Sequence, residues 1–274
     1  MDAFALLSAL LMGVVEGLTE FLPISSTGHL ILLAEAIGFT GPPGKTFEIT
    51  IQLGAILAVI WVFRETLLRI AFGMWRRGST EYYMAMNLLL AFLPAMVLGA
   101  TLHGYITTLL FTPLVVALAL IIGGIAIIVI ERNRPNPSIH SIQEMGPLAA
   151  LLVGFGQALA MIPGTSRSGA TIISALLVGV ERKTAAEFSF LLAIPTMVAA
   201  TAFSLFKARA ELDFSSMGQI GVGFFSAFIV ALLIVRWLLS VISRIGFTPF
   251  GWYRIALGAL ILVWLALRSG GAAA

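Results

Sequence analysis

The chain has 274 residues, 59% of them hydrophobic and 11% charged, with a mean hydropathy of +1.04. Soluble domains carry roughly 25% charged residues, so a water-soluble globular fold is excluded and a polytopic helical membrane protein is expected. The net charge of +3 is small and lies mostly in loops, which speaks for topology and against nucleic acid as a partner; the absence of cysteine excludes disulfides, thiolate metal sites and cysteine nucleophiles.

The apolar runs are too long and too rarely alternating for barrel strands, so helices must do the spanning. The chain has room for about six to eight crossings of ~20 residues each, plus shorter broken pieces. It opens Met1-Asp2, and its first apolar stretch carries Glu16 and Glu20, which does not read as a secretory leader. That stretch, 4–22, is followed by a short apolar piece at 30–38, and between them lies the polar island "EGLTEFLPISSTGH" (16–29). Spans are then predicted at 47–65, 84–102 and 113–130. A second polar island, "PGTSRSGAT" (163–171), sits between apolar pieces at 147–162 and 170–180, and spans at 185–206, 217–239 and 250–267 complete the chain. The pieces at 30–38, 147–162 and 170–180 are too short to cross comfortably. Helix broken by a Pro/Gly/Ser loop predicts two re-entrant hairpins, tolerated only where protein or water covers the freed backbone.

The two halves repeat weakly. "GVVEGLTEFLPISSTG" (13–28) lies over "GFGQALAMIPGTSRSG" (154–169) if a one-residue gap is allowed near each proline, and "FEITIQLGAIL" (47–57) lies over "EFSFLLAIP" (187–195), aligning Glu48 with Glu187. A single integral membrane domain, 1–274, is expected, with repeat one at about 1–130 and repeat two at about 147–267. Arg64, Arg69, Arg76 and Arg77 follow the first clean span and place that loop in the cytoplasm. Threading onward, Arg132, Arg134, Arg182, Lys183, Arg236 and Arg244 also fall inside, whereas Lys45, Lys207, Arg209 and Arg268 fall outside; Arg167 and Arg254 lie within apolar segments. The hairpins then enter from opposite faces and meet near the midplane, as in an inverted-topology repeat with a site at its interface.

Glu16 and Glu20 are i and i+4, so both carboxylates project from one helix face. Two like charges in a poor dielectric imply a cation between them or a shared proton; protonated or water-exposed acids near a helix end would also satisfy the pattern. Oxygen ligands suit Mg²⁺ or Ca²⁺, and Mg²⁺ usually shares its shell with substrate phosphate. Ser25 or Ser26 can cap the short helix that follows, and Gly28 permits close backbone approach. His29, three residues after Ser26, has the spacing of a general acid/base or of an activator for a hydroxyl nucleophile; a lone membrane histidine can equally bond a neighbouring carbonyl. In the second island, Gly164, Thr165, Ser166, Ser168, Gly169 and Thr171 gather at the start of a short helix, where backbone N–H groups and the positive helix end attract an anion. Arg167 adds a permanent charge and a fork matched to phosphate oxygens. Glu48, Gln52 and Glu187 are weaker candidates, either as outer partners of Arg167 or His29 or as helix-end residues near water, and His103 and His140 are expected in solvated loops. A diphosphate with a divalent metal answers the demands of both islands.

These residues resemble the undecaprenyl-diphosphate phosphatases of bacteria, the bacitracin-resistance protein family. "GVVEGLTEFLPISSTGH" and "PGTSRSGAT" carry the resemblance with "FEITIQLGAILAV" and "EFSFLLAIP", and it covers nearly the whole chain. It implies removal of the terminal phosphate of undecaprenyl diphosphate, giving the monophosphate carrier lipid for peptidoglycan synthesis. A plasma (inner) membrane location, a divalent-metal requirement and bacitracin resistance on overproduction are implied with it. Residue by residue, the family's acidic motif falls on Glu16 and Glu20, its Ser-His element on Ser26 and His29, and its diphosphate-binding loop on Ser166, Arg167, Ser168 and Thr171. Ser25 and Thr27, beside the nucleophile, join Gly164, Thr165 and Gly169 as expected substrate contacts.

The favoured mechanism has Ser26, activated by His29, attack the terminal phosphorus while metal, Arg167 and loop N–H groups neutralise charge; direct attack by water with His29 as base stays open. The site is expected to open to the periplasm, with membrane lipid and a second copy of the chain, as a homodimer, as further partners. Two rivals differ in kind. The lipid-phosphatase superfamily needs a second histidine downstream of the Ser-Arg element, and none follows Arg167. A lipid-phosphate transporter or flippase would share the inverted repeat but needs no nucleophile.

Overall fold

In a computed structural model, residues 3–39, 46–110, 112–208 and 217–271 are described. Asp2, Lys45 and Arg209 lie outside them, as do the side chains of His103 and Lys207. Eleven α-helices run through the described residues: α1 (Ala3–Thr19), α2 (Ser26–Ile37), α3 (Thr46–Val62), α4 (Arg64–Gly73), α5 (Thr80–Leu109), α6 (Pro113–Asn133), α7 (Pro147–Leu159), α8 (Arg167–Leu177), α9 (Arg182–Ala208), α10 (Met217–Ile245) and α11 (Thr248–Gly271). The protein is an all-α polytopic membrane protein.

Among the described residues five helices are long and apolar enough to cross a bilayer: α5, α6, α9, α10 and α11. The sixth predicted span is the bent pair α3 and α4, which turns by 74° at Phe63. Residues 64–77, expected as a charged loop, therefore start as a helix. Arg64, Glu65 and Arg69 share that helix with exposed Phe72, and exposed Trp75 follows it, the amphipathic mix of a segment lying in the interface. His103, expected in a loop, falls within α5, which continues to Leu109. Local chemistry sets the clearest helix ends. Thr112 accepts the Val115 N–H at α6 with Pro113 in the first turn, and α2 stops at Gly38 in the left-handed conformation, with the Phe39 N–H returning to the Ala34 carbonyl.

The two islands are hairpin breaks. α1 and α2 flank residues 20–25, and α7 and α8 flank residues 160–166; none of these four helices exceeds 17 residues. The hairpins exchange supports: α1 runs along α10 of the second half, and α7 runs along α5 of the first. Gly13 and Gly17 permit the first packing, since a Cβ at either would fall 2.1 Å from Ser226 Oγ or 2.6 Å from the Ala227 carbonyl. Interlocked halves of this kind bring both breaks to one place, between α6, α9 and α11.

At the α6–α9–α11 corner, buried Glu131 ends α6, accepts Arg182 Nε at 2.8 Å and caps α11 through the Phe247 N–H and the Thr248 hydroxyl. This pins the start of α9, and with it Ser189 two turns further on.

Candidate functional site

Glu16 lies on the buried side of α1 near its end, and Glu20 follows the helix by one residue with its N–H still bonded to the Glu16 carbonyl at 3.0 Å. Both acids are buried, 2% and 8% exposed. Glu16 Oε1 is buried with no hydrogen-bond partner among the described residues. Glu20 is instead the hub. Its Oε2 accepts the Ser26 hydroxyl at 2.6 Å, and its Oε1 lies 3.5 Å from Arg167 Nη2.

Arg167 opens α8 and reaches across to hairpin one. Its Nη1 donates to the Ser189 carbonyl of α9 at 3.2 Å, and its guanidinium lies over the Phe21 ring, 5.8 Å from the centroid. Its Nε is buried and has no hydrogen-bond partner among the described residues. The charge is therefore positioned by Glu20 and Ser189 while part of the fork stays uncommitted, which is what an anion-binding arginine requires.

The serines of the second loop hold it shut. Ser166 Oγ accepts the Gly169 N–H at 3.1 Å and meets Ser168 Oγ at 3.1 Å; Ser168 donates to the Leu22 carbonyl of hairpin one at 2.8 Å. Thr171 donates back to the Arg167 carbonyl at 2.9 Å and meets the Ser189 hydroxyl at 2.6 Å. Ser168 and Thr171 are fully buried, so both act here as braces for the Arg167 loop. Gly164, at φ 92°, packs its Cα side against α6, where a Cβ would fall 2.6 Å from the Val116 carbonyl.

His29 is where the sequence reading needs correction. Ser26 and His29 share α2, yet the structure gives the Ser26 proton to Glu20. The His29 ring meets the Ser25 carbonyl through Nδ1 at 2.8 Å and the Tyr253 hydroxyl through Nε2 at 2.7 Å, with the two rings stacked 5.6 Å apart. Because a carbonyl only accepts, Nδ1 carries the hydrogen, and Nε2 of the neutral ring accepts from Tyr253. The neighbour spacing is real, but α2 starts at Ser26, so its side chain turns back toward the end of α1 while His29 faces α11. Thr27 is exposed at the start of α2, and Ser25 is buried behind it.

The three outer candidates do not join this cluster in the same way. Glu48 is exposed on α3, and Gln52 is half-buried one turn on. Glu187 lies 3.9 Å from Lys183 and lines a separate polar cavity of about 460 Å³ with Arg69, His140, Glu181 and Thr184. It faces that cavity and not Arg167. His140 is exposed, as expected, and lies 3.6 Å from Glu181.

Three residues absent from the sequence assignment touch the cluster: Ser189, Tyr253 and Arg254. Arg254 is fully buried and donates to carbonyls of both loops. Its signal was visible as a charge inside an apolar span. Tyr253 and Ser189 carry no such mark, because a tyrosine or serine in a membrane helix is ordinary.

The donor set can be weighed against a divalent cation. Glu16 and Glu20 offer only oxygen, and one buried Glu16 oxygen lacks any partner, which fits a hard ion. No group of three or more His, Cys, Asp or Glu is found among the described residues. The pair therefore suits an ion whose remaining ligands come from water and substrate phosphate.

The chain matches the family described as bacitracin resistance protein BacA over residues 9–260. It is 54% identical over 263 residues to undecaprenyl-diphosphatase 2 of Paramagnetospirillum magneticum, covering 96% of this chain and 100% of that protein. It is 52% identical over 265 residues to the undecaprenyl-diphosphatase of Rhizorhabdus wittichii, covering 96% and 99%. To that of Dechloromonas aromatica it is 51% identical over 262 residues, covering 96% and 95%.

Proposed function

Because the chain belongs to the bacitracin resistance protein BacA family, we propose that it is an undecaprenyl-diphosphatase whose nucleophile is Ser26 and whose base is Glu20. The reaction releases phosphate from undecaprenyl diphosphate and returns the monophosphate carrier lipid for peptidoglycan synthesis, which accounts for bacitracin resistance. One observation carries the assignment of roles: the Ser26 hydroxyl donates to Glu20 at 2.6 Å while Arg167 lies 3.5 Å from the same carboxylate. A hydroxyl, its base and a phosphate-matched cation meet on one side chain.

Glu20 takes the Ser26 proton as Oγ attacks the terminal phosphorus, and the lipid monophosphate leaves. Glu20 passes that proton to the departing lipid monophosphate; water then attacks the phosphoserine, Glu20 takes a proton from it and returns one to Ser26 Oγ as phosphate is freed. Arg167, free at Nε, binds phosphoryl oxygens and stabilises the charge that gathers on them. Glu16 and Glu20 would hold a divalent Mg²⁺ or Ca²⁺, which when bound supplies Lewis-acid charge at the phosphoryl oxygens. His29, bonded at both nitrogens, orients the start of α2 by holding the Ser25 carbonyl. Ser168 and Thr171 keep the second loop closed around Arg167.

The plasma membrane is the location this substrate requires, with lipid around the exposed apolar faces of the long helices. The arginines on and after α4, with Arg182 and Lys183 at the start of α9, belong to the cytoplasmic side. The site accordingly opens outward, to the periplasm, and the prenyl chain stays in the bilayer. Purified protein in detergent, supplied with undecaprenyl diphosphate and Mg²⁺, is expected to release phosphate. An acid quench is expected to trap phosphate on the peptide containing Ser26. Phosphate release without any trapped phosphoserine, in a variant slowed at the second step, would give the attack to water; binding without release would leave a carrier.

A further inference from the structure

Arg254 lies in the middle of α11, is fully buried, and faces no carboxylate within ion-pair distance among the described residues. Its guanidinium donates to five backbone carbonyls. Nε reaches Leu120 at 3.3 Å; Nη1 reaches Pro23 at 3.2 Å and Thr165 at 2.8 Å; Nη2 reaches Ala119 at 3.0 Å and Gly164 at 3.0 Å. All five N–H donors of the fork are spoken for.

The origin of those carbonyls matters more than their number. Pro23 belongs to the break of hairpin one, three residues after Glu20 and three before Ser26. Gly164 and Thr165 belong to the break of hairpin two, two or three residues before Arg167. Ala119 and Leu120 are on α6, against which α2 of hairpin one and Gly164 of hairpin two pack. Helix breaks leave carbonyls without intrahelical partners, and in an apolar surround each must find a donor. One planar cation answers these at both breaks together, and so fixes the separation of the two loops.

We infer that Arg254 is a positioning residue for the reaction: its guanidinium sets the distance between the Ser26–Glu20 pair on hairpin one and Arg167 on hairpin two. The inference rests on the phosphatase reading of the site. The chain is shaped for this cation. Gly123 of α6 stands where a Cβ would lie 2.2 Å from Arg254 Nη2, and Gly169 of α8 where one would lie 2.9 Å from Nη1. The neighbouring Tyr253 hydroxyl holds His29, so two successive residues of α11 reach hairpin one. Lysine at 254 keeps the charge but has three donors at one point, and cannot serve both loops and α6 at once.

Displacing one reacting group by about 1 Å costs on the order of 10²-fold in rate, whereas each loop keeps its own binding groups. The effect therefore belongs in kcat more than in KM. The test compares wild type, Arg254→Lys, Gly123→Ala and Gly221→Ala in detergent, with phosphate release from undecaprenyl diphosphate and thermal unfolding measured on each. Gly123→Ala pushes the guanidinium aside without changing it, and Gly221 has open space where a Cβ would go. Arg254→Lys and Gly123→Ala are expected to lose tenfold or more in kcat, with KM within about threefold, at temperatures where both are folded; Gly221→Ala is expected to match wild type. Folded Arg254→Lys and Gly123→Ala with wild-type kcat would overturn the inference. So would activity that falls only in step with the folded fraction, or failure of both variants to fold, since each makes Arg254 a structural staple alone. A wild type that releases no phosphate would instead overturn the phosphatase reading.

Discussion

Hairpin one and hairpin two are built alike and equipped differently. Each has a short helix, a break, and a second short helix whose N-cap is a serine at positive φ: Ser25 at 70° and Ser166 at 69°, the only positive-φ non-glycine residues described. Each has glycine three residues later, Gly28 and Gly169. On that common backbone the offset of 141 residues that aligns the two segments sets Glu16 against Gln157, Glu20 against Met161, Ser26 against Arg167 and His29 against Ala170. One hairpin carries acids, hydroxyl and imidazole; the other has none of them at the matching positions and carries a permanent cation. Their burial diverges as well. On α8, Ser168, Gly169, Ala170, Thr171 and Ile172 are all buried, whereas Gly28 is the only buried residue of α2. On the proposed mechanism hairpin two holds, and hairpin one reacts and admits substrate.

The sharpest way to break that division is to remove one function from each side. Glu20→Gln takes the proton acceptor from Ser26 and the counter-charge from Arg167 together, and is expected to lower kcat by roughly 10³-fold or more, near the upper end of what general base catalysis provides. Arg167→Lys keeps the charge but loses the fork, and its loss should be smaller, roughly 10²-fold or more, as for removal of one donor that stabilises developing charge. Phosphate release at saturating substrate and matched expression measures both. Equal, mild losses would mean that neither hairpin owns the step assigned to it.

A smaller effect separates Glu16 from its counterpart Gln157. Glu16 Oε1 is a buried oxygen without a partner, whereas Gln157 Oε1 accepts the Thr196 hydroxyl at 3.2 Å and the unpartnered atom of Gln157 is Nε2, a donor that cannot ligate a cation. Glu16→Gln is expected to raise the Mg²⁺ concentration for half-maximal activity by roughly tenfold or more, with activity partly recovered as Mg²⁺ is added. Gln157→Leu should leave that concentration unchanged. Titration of both variants after chelation checks it, and full activity of the intact enzyme under exhaustive chelation would remove the metal role.

How far all this was legible from residue types can be judged at particular positions. Five of the six predicted spans and both helix breaks are where apolar length and Pro/Gly punctuation put them, and the span expected at 47–65 bends at Phe63. The charges of the two islands pointed to a cation for the acids and an anion for Arg167, and the direct approach of Arg167 to Glu20 was not among those expectations. The partner of Ser26 was not legible: a spacing of three places His29 near it on α2, but the direction in which the first residue of a helix points depends on how the preceding turn closes. The 74° bend at Phe63 and the Tyr253 contact to His29, 224 residues apart, are tertiary and leave no local signal.

The smallest expected effect probes the shared backbone itself. A non-glycine residue held at φ near 70° with ψ of 97° or 120°, outside the left-handed well, costs on the order of 1–3 kcal/mol. Glycine relieves that strain, so the substitution would stabilise both hairpins alike if the two serines did the same work. They do not. Ser25 makes no side-chain cap bond, so Ser25→Gly removes strain and little else, and should raise the unfolding midpoint in detergent by about 2–4 °C for each kcal/mol relieved. Ser166 Oγ caps the Gly169 N–H and meets Ser168, which ties hairpin two to the Leu22 carbonyl. Ser166→Gly therefore trades strain for a lost cap worth about 0.5–2 kcal/mol and a loosened tie, and should leave the midpoint level or lower it. Activity sharpens the contrast: Ser25→Gly leaves the Ser25 carbonyl for His29, whereas Ser166→Gly frees the loop that carries Arg167 and should lower kcat severalfold. Equal shifts in the two midpoints would show that the second serine braces nothing, and the holding role would have to rest on Thr171 and Ser189 alone.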